Sequence, residues 1–172
     1  MLSLSGEHPT LPFLEARHLF ASADPMCKTS TATSRLLLIE TGLRQEEAEL
    51  LSSRLVLTKE ALLVVQTSPD PFSLAPDPRL LSHLEGRTFA VRSRGFADEA
   101  MAVERRVGAL VLAAARQRGI RTSVRLDEPD VCLVVAKLDG KYVLGRLIPK
   151  PPRSVYQKRS MERPFKHPVG ID

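Results

Sequence analysis

Val131-Cys-Leu-Val-Val-Ala-Lys-Leu-Asp-Gly-Lys-Tyr-Val-Leu-Gly-Arg-Leu-Ile148 is the stretch from which the fold is read. Two apolar runs, Val131–Leu138 and Tyr142–Ile148, flank Asp139-Gly140. That dipeptide tolerates the positive φ angles of a two-residue hairpin turn, so the stretch predicts two antiparallel strands. Upstream, Val124–Leu126 reads as a short strand and Asp127-Glu-Pro-Asp130 as the turn after it. Before these, Val103, Val107, Leu110, Val111 and Ala114 form the core stripe of a long helix over Asp98–Arg118. Asp98 and Glu99 suit its positive N-terminus, and Gly119 ends it. Thr88–Arg94 alternates, with Phe89 and Val91 on one face and Arg92 and Arg94 on the other.

The first part of the chain has its own pattern. Leu2 and Leu4 alternate with Ser3 and Ser5 as in a short strand. Thr10 is placed to cap a helix whose face carries Leu11, Leu14 and His18, and Asp24-Pro25 breaks it. Met26–Thr31 and Arg35–Glu40 read as strands, the second apolar enough for burial on both faces. A helix over about 44–55 presents Ala48, Leu51 and Leu55, and Leu57–Gln66 reads as a closing strand. The order β-α-β-β-α-β predicts an α+β, ferredoxin-like domain over 1–68. Four prolines within 67–78 mark a linker, assigned to 69–78, because proline blocks both helix and ladder. A short helix over Pro78–Leu84 opens an α/β second domain over 79–148. The segment 149–172 is proline-rich and basic, with little to bury, and reads as an extended tail.

Charge separates the two parts. Residues 1–75 hold six Lys/Arg against nine Asp/Glu, a net of −3, and residues 76–172 hold nineteen against eleven, a net of +8. The basic second part points to a polyanionic partner. No apolar run reaches the roughly 20 residues of a membrane-spanning helix, and Met1–Glu7 lacks the pattern of a secretory signal. A cytoplasmic location is expected. Cys27 and Cys132 give neither a disulfide framework nor a zinc site and read as small apolar residues.

Phe89-Ala-Val-Arg92, Glu104-Arg-Arg-Val-Gly108 and Val124-Arg-Leu-Asp-Glu-Pro-Asp130 resemble the THUMP domain of RNA-modifying enzymes. Leu4-Ser-Gly-Glu-His-Pro-Thr-Leu-Pro12 is similar to the opening of archaeal tRNA guanine-N2 methyltransferases, which act at tRNA position 10. Arg163-Pro-Phe-Lys-His-Pro168 resembles the passage leading into their methyltransferase domain. The resemblance implies a ferredoxin-like domain and a THUMP domain that grip tRNA by its 3′ acceptor end. It also implies a Rossmann-like catalytic domain that uses S-adenosylmethionine. The sequence stops at Asp172, and its nine glycines never occur as the G-x-G of a cofactor turn. Nor does it contain an asparagine, and its Pro151-Pro152 pair lies between Lys150 and Arg153 instead of in an Asn/Asp-Pro-Pro-aromatic loop. The expectation is a binding part that is not an enzyme on its own, with any S-adenosylmethionine held elsewhere.

The candidate RNA contacts are Arg92, Arg94, Arg105, Arg106, Arg121, Arg125, Lys158 and Arg159. Guanidinium forks match phosphate oxygens, and each phosphate neutralised adds salt-dependent affinity. The plainer readings are solvated surface, pairing of Arg105 and Arg106 with Asp98 or Glu99, and a flexible linker for the tail. Lys137, Lys141 and Arg146 read as charges protecting a solvated hairpin edge. His8 reads as closing the turn before the first helix and His18 as a packed histidine. The acidic turn Asp127–Asp130 reads as structural. With two tyrosines and no tryptophan, phosphate and shape contacts fit better than an aromatic stacking platform. Three functions stand side by side: the tRNA-binding part of a modifying enzyme, an assembly subunit that docks a separate methyltransferase, and a small-molecule-sensing domain. THUMP modules of thiouridine or pseudouridine enzymes remain open within the first.

Overall fold

The computed structural model describes residues 1–149 apart from Glu7, Ser34, Ala75 and Asp139. In chain order the elements are β1 (Leu2–Leu4), α1 (Leu11–Ala23), β2 (Lys28–Thr33), β3 (Leu36–Glu40), α2 (Gln45–Arg54) and β4 (Thr58–Ser68). They continue as α3 (Pro78–Ser82), β5 (Arg87–Arg94), α4 (Ala100–Gln117), β6 (Thr122–Val124), β7 (Val131–Leu138) and β8 (Lys141–Leu147). All eight strands join one sheet in the order β2-β3-β1-β4-β8-β7-β5-β6.

The β7–β8 hairpin forms as the sequence predicts. Its register Leu138↔Lys141 leaves residues 139 and 140 for the turn, and Gly140 takes φ +75°. Asp139 itself lies outside the described residues. β5 runs parallel to both β6 and β7, because α4 carries the chain back over the sheet between them. Gly119 takes φ +70° just past the end of α4, as a helix-terminating glycine does. The buried stripe of α4 is Val103, Val107, Gly108, Val111 and Ala115, with the predicted Leu110 and Ala114 only half-buried.

The first six elements follow the expected order, but three local readings are corrected. α1 buries Pro12, Ala16 and Phe20, while Leu11 and Leu14 are 49% and 39% exposed and His18 is exposed. This helix is apolar almost all round, so its pattern does not choose a face; the fit of Phe20 into the core does. Thr10 makes no side-chain cap bond, and His8 Nδ1 accepts from the Thr10 and Leu11 amides instead, at 3.2 and 3.1 Å. In β3 only Leu37 is fully buried, with Leu36, Leu38 and Ile39 half-buried. The sheet face opposite the helices carries no helical layer there to cover both sides of the strand.

Residues 1–68 and 79–148 share the sheet through β4 and β8. These strands pair from Leu62↔Leu147 to Ser68↔Tyr142, with a bulge between Val64 and Gln66. The register puts Leu63, Arg146 and Leu133 on the helix-bearing face and Val64, Gly145 and Val134 on the other. On the helix face, α1 and α2 close a core around Phe20, Leu37 and Leu55. α3 and α4 close a second around Phe89, Val107, Leu133 and Leu144. Leu74, from the predicted linker, is fully buried in this second core, beside a one-turn helix Pro71–Ser73 capped by Asp70.

On the opposite face Met1, Leu62, Val134 and Ala136 form a third cluster, with no helix over it among the described residues. Glu60 of β4 and Arg94 of β5 meet over that face at 2.7 Å, although two strands separate them. Three strand spacings amount to about 14 Å, a gap that the two long side chains cross together.

Gly145 sits on the β4–β8 seam, opposite Val64. A Cβ there would meet the Leu63 carbonyl oxygen at 3.0 Å and Leu62 Cβ at 3.2 Å. Gly145→Ala should therefore lower unfolding stability by about 1–3 kcal/mol in a urea titration. Met26→Ser, at a residue 85% exposed, should stay within about 0.5 kcal/mol of the parent. Equal midpoints for the two variants would contradict the tight seam.

Candidate nucleic-acid interface

Edge strand β6 is short. It pairs with β5 only from Arg87↔Thr122 to Phe89↔Val124, after which the chain leaves the sheet through Arg125 and Leu126. The remainder of β5 borders a groove of about 580 Å³ between α4 and the 124–126 segment. Met101, Arg105, Gly108 and Leu112 line it from α4 at spacings of four, three and four, which is one helical face. Gly108 and Ala109 keep that wall low. Met101, Val124 and Leu126 leave 62%, 46% and 59% of their surface exposed, so the groove offers apolar walls to solvent.

Two guanidinium groups border these walls. Arg92 donates from Nη2 to the Leu126 carbonyl at 2.6 Å, which aims it at the groove. Arg105 is exposed on α4, and among the described residues it forms no ion pair. The groove floor is tied by Glu104, whose Oε1 accepts from the Ser93 amide and hydroxyl at 2.8 and 2.9 Å. The carboxylate keeps its charge, but its Oε1 is turned to Ser93 and forms no ion pair with either arginine. Apolar walls beside paired, oriented forks suit a sugar-phosphate strand with its bases turned inward.

The other sequence candidates are distributed differently. Arg106 is exposed on α4 but does not line the groove, and Asp98 and Glu99 lie in a 3-10 turn before the helix. Arg125 is exposed next to the groove wall, near Asp130. Arg121 is 92% exposed and lies 3.6 Å from Glu85. Arg94 is committed to Glu60 through both Nε and Nη2, at 3.2 and 2.7 Å, so it braces the sheet. Lys158 and Arg159 lie outside the described residues, as does the rest of 150–172. The structure thus places Arg92 and Arg105 on one groove, leaves Arg125 alongside and commits Arg94, which shares a face of β5 with Arg92, to Glu60. Sequence reading missed Met101, Val124 and Leu126; the face-sharing spacing of Met101, Arg105 and Gly108 was the available signal.

The acidic turn has a structural task. Asp130 Oδ2 accepts from the Thr88 amide and hydroxyl, each at 2.8 Å, which ties the start of β5 to the start of β7. These bonds, with smaller help from Arg125 and Arg87, hold the Asp130 carboxyl below its ordinary value of 3.8.

No family model matches the chain, and no curated protein does. Solved structures do. TrmN from Thermus thermophilus aligns with a TM-score of 0.59 and 23% identity over 93% of this chain and 48% of its own. PH1313 from Pyrococcus horikoshii aligns with a TM-score of 0.55 and 14% identity, covering 87% and 54%. A 4-thiouridine synthetase solved in complex with RNA and bound ATP aligns at 0.53 and 13%, covering 87% and 41%. At these identities the likeness is one of fold, and the chain spans about half the length of the structures it matches.

The Asp130 tie gives a direct test. A carboxylate favoured in the folded state stabilises above its unfolded pKa, and that contribution is lost as pH falls through the lower folded value. An NMR titration should place the Asp130 midpoint below 3.8, and Thr88→Val should move it back toward 3.8. An ordinary midpoint in both proteins would show that the tie is absent.

Proposed function

We propose that this chain is a THUMP-type tRNA-binding module of a tRNA-modifying enzyme. Its fold is shared with a 4-thiouridine synthetase solved with RNA and with TrmN, and the THUMP-like segments lie around the groove. Phe89 and Arg92 border it from β5, Glu104, Arg105 and Gly108 from α4, and Val124 and Leu126 from the edge. The observation that carries the reading is the placing of Arg92 and Arg105 on one apolar-walled groove beside an open sheet edge. The order β2-β3-β1-β4, with β1 antiparallel to both neighbours, supports a ferredoxin-like reading of the first segment.

The finer reading is the substrate-binding part of a tRNA guanine-N2 methyltransferase, supported by the similarity of Leu4–Pro12 to the opening of that family. In this reading the chain positions tRNA through its acceptor end. S-adenosylmethionine and the catalytic groups belong to another domain or subunit. Among the described residues no helix is long and apolar enough to cross a membrane.

Filter binding of tRNA at several salt concentrations tests the proposal. Affinity should fall steeply with salt, and removal of the 3′ acceptor end should weaken it. Arg92→Ala and Arg105→Ala should each weaken binding and lower the log–log salt slope by about one. Arg121→Ala should have a smaller effect. Salt-independent affinity, or full affinity in both groove variants, would overturn the assignment.

A further inference from the structure

The seam between the two halves leaves a second concavity, separate from the RNA groove. The helices stand in two groups, α1 with α2 and α3 with α4, and among the described residues no helix crosses the β4–β8 seam on this face. The result is a trench of about 670 Å³ with a floor of Leu63, Val65, Arg146 and Ile148. Its size matches that of sites for small organic ligands.

Arg146 is the unusual member. Its side chain is 13% exposed, and it stands on a strand paired on both sides. The sequence reading of a solvated hairpin-edge charge is therefore corrected: β8 is central, not an edge. Arg146 Nη2 binds Glu49 of α2, while its Nε is buried and makes no hydrogen bond among the described residues. Arg94 provides the contrast within the same molecule. Although 48% exposed, it uses Nε and Nη2 together on one carboxylate. A guanidinium more deeply buried, yet less completely bonded, has donor capacity left for an oxyanion.

The surrounding polar groups fit such a guest. Glu49 also accepts from Gln45 Nε2 at 2.7 Å, and Gln45 in turn contacts His83 Nε2 at 3.3 Å. Asp77 is occupied in capping α3 at the Leu80 amide, 2.7 Å away. Arg79 is exposed and His83 half-buried in the α3 wall, with Glu40 the exposed carboxylate of the opposite wall. We propose that the trench binds a phosphorylated ligand of nucleotide size, its phosphate on Arg146 and its apolar body along Leu63, Val65 and Ile148. This proposal does not rest on the RNA reading of the other groove.

Adenosine 5′-monophosphate is the probe, with inorganic phosphate and adenosine as partial ligands, followed by amide chemical shifts. The monophosphate should bind saturably and shift Leu63, Val65 and Arg146, more tightly than either partial ligand. Arg146→Gln should weaken it by at least about tenfold. Glu49→Gln, which removes the negative charge that competes with phosphate for the guanidinium, should tighten it by about fivefold. Arg105→Ala, in the other groove, should leave it unchanged. A 5′-phosphorylated dinucleotide distinguishes the source: tighter binding with the same shifts identifies a nucleic-acid strand, and weaker binding identifies a free nucleotide. Absence of saturable shifts, or unchanged affinity in Arg146→Gln and Glu49→Gln, overturns the proposal.

Discussion

Strand β4 pairs with β8 from Leu62 to Ser68, and this pairing decides what both faces of the sheet can do. Without it each segment would be a small sheet with helices on one face and an uncovered edge. With it, Met1, Leu62, Val134 and Ala136 from the two segments pack together on the helix-free face. Gly145 allows the strands to approach, and the bulge after Val64 adds local twist. Two ion pairs then brace the halves on opposite faces, Arg94 with Glu60 on one and Arg146 with Glu49 on the other. In both, the arginine comes from the second segment and the glutamate from the first.

The same constraint places the two concavities. Because β4 and β8 lie mid-sheet, the helices flank the seam, and the trench forms above it. The basic groove arises at the far side of α4, where β6 ends after three residues and uncovers the edge of β5. The carboxylate that Glu104 brings to the groove is turned to Ser93, which leaves Arg92 and Arg105 without a direct ion pair to it. Arg92 is in turn aimed by the Leu126 carbonyl, so the fork is oriented before any ligand arrives.

Local signals in the sequence were readable, and long-range partners were not. The Asp-Gly turn, the stripe of α4, Gly119 and the alternation of β5 depend on neighbours within a few residues, and each led to the right element. The bonds of Arg94 and Arg146 depend on Glu60, 34 positions away, and Glu49, 97 positions away. No periodicity encodes such partners, so Arg94 was read as an RNA contact and Arg146 as a surface charge. α1 failed differently: apolar residues at nearly every position left its buried face undetermined until Phe20 met the core. Arg92 and Arg105, singled out by charge pattern, line one groove in the structure. The apolar partners that make the site a groove were hidden because exposed methionine, valine and leucine look like core residues in a sequence.

Hydrogen–deuterium exchange with and without tRNA maps the contact face without altering any residue. RNA seated in the α4 groove slows exchange in the first half of α4, about 100–112, and in 122–126, and leaves α1 unchanged. Slowed exchange confined to α1 and α2, with both groove segments unaffected by saturating tRNA, would contradict that seating.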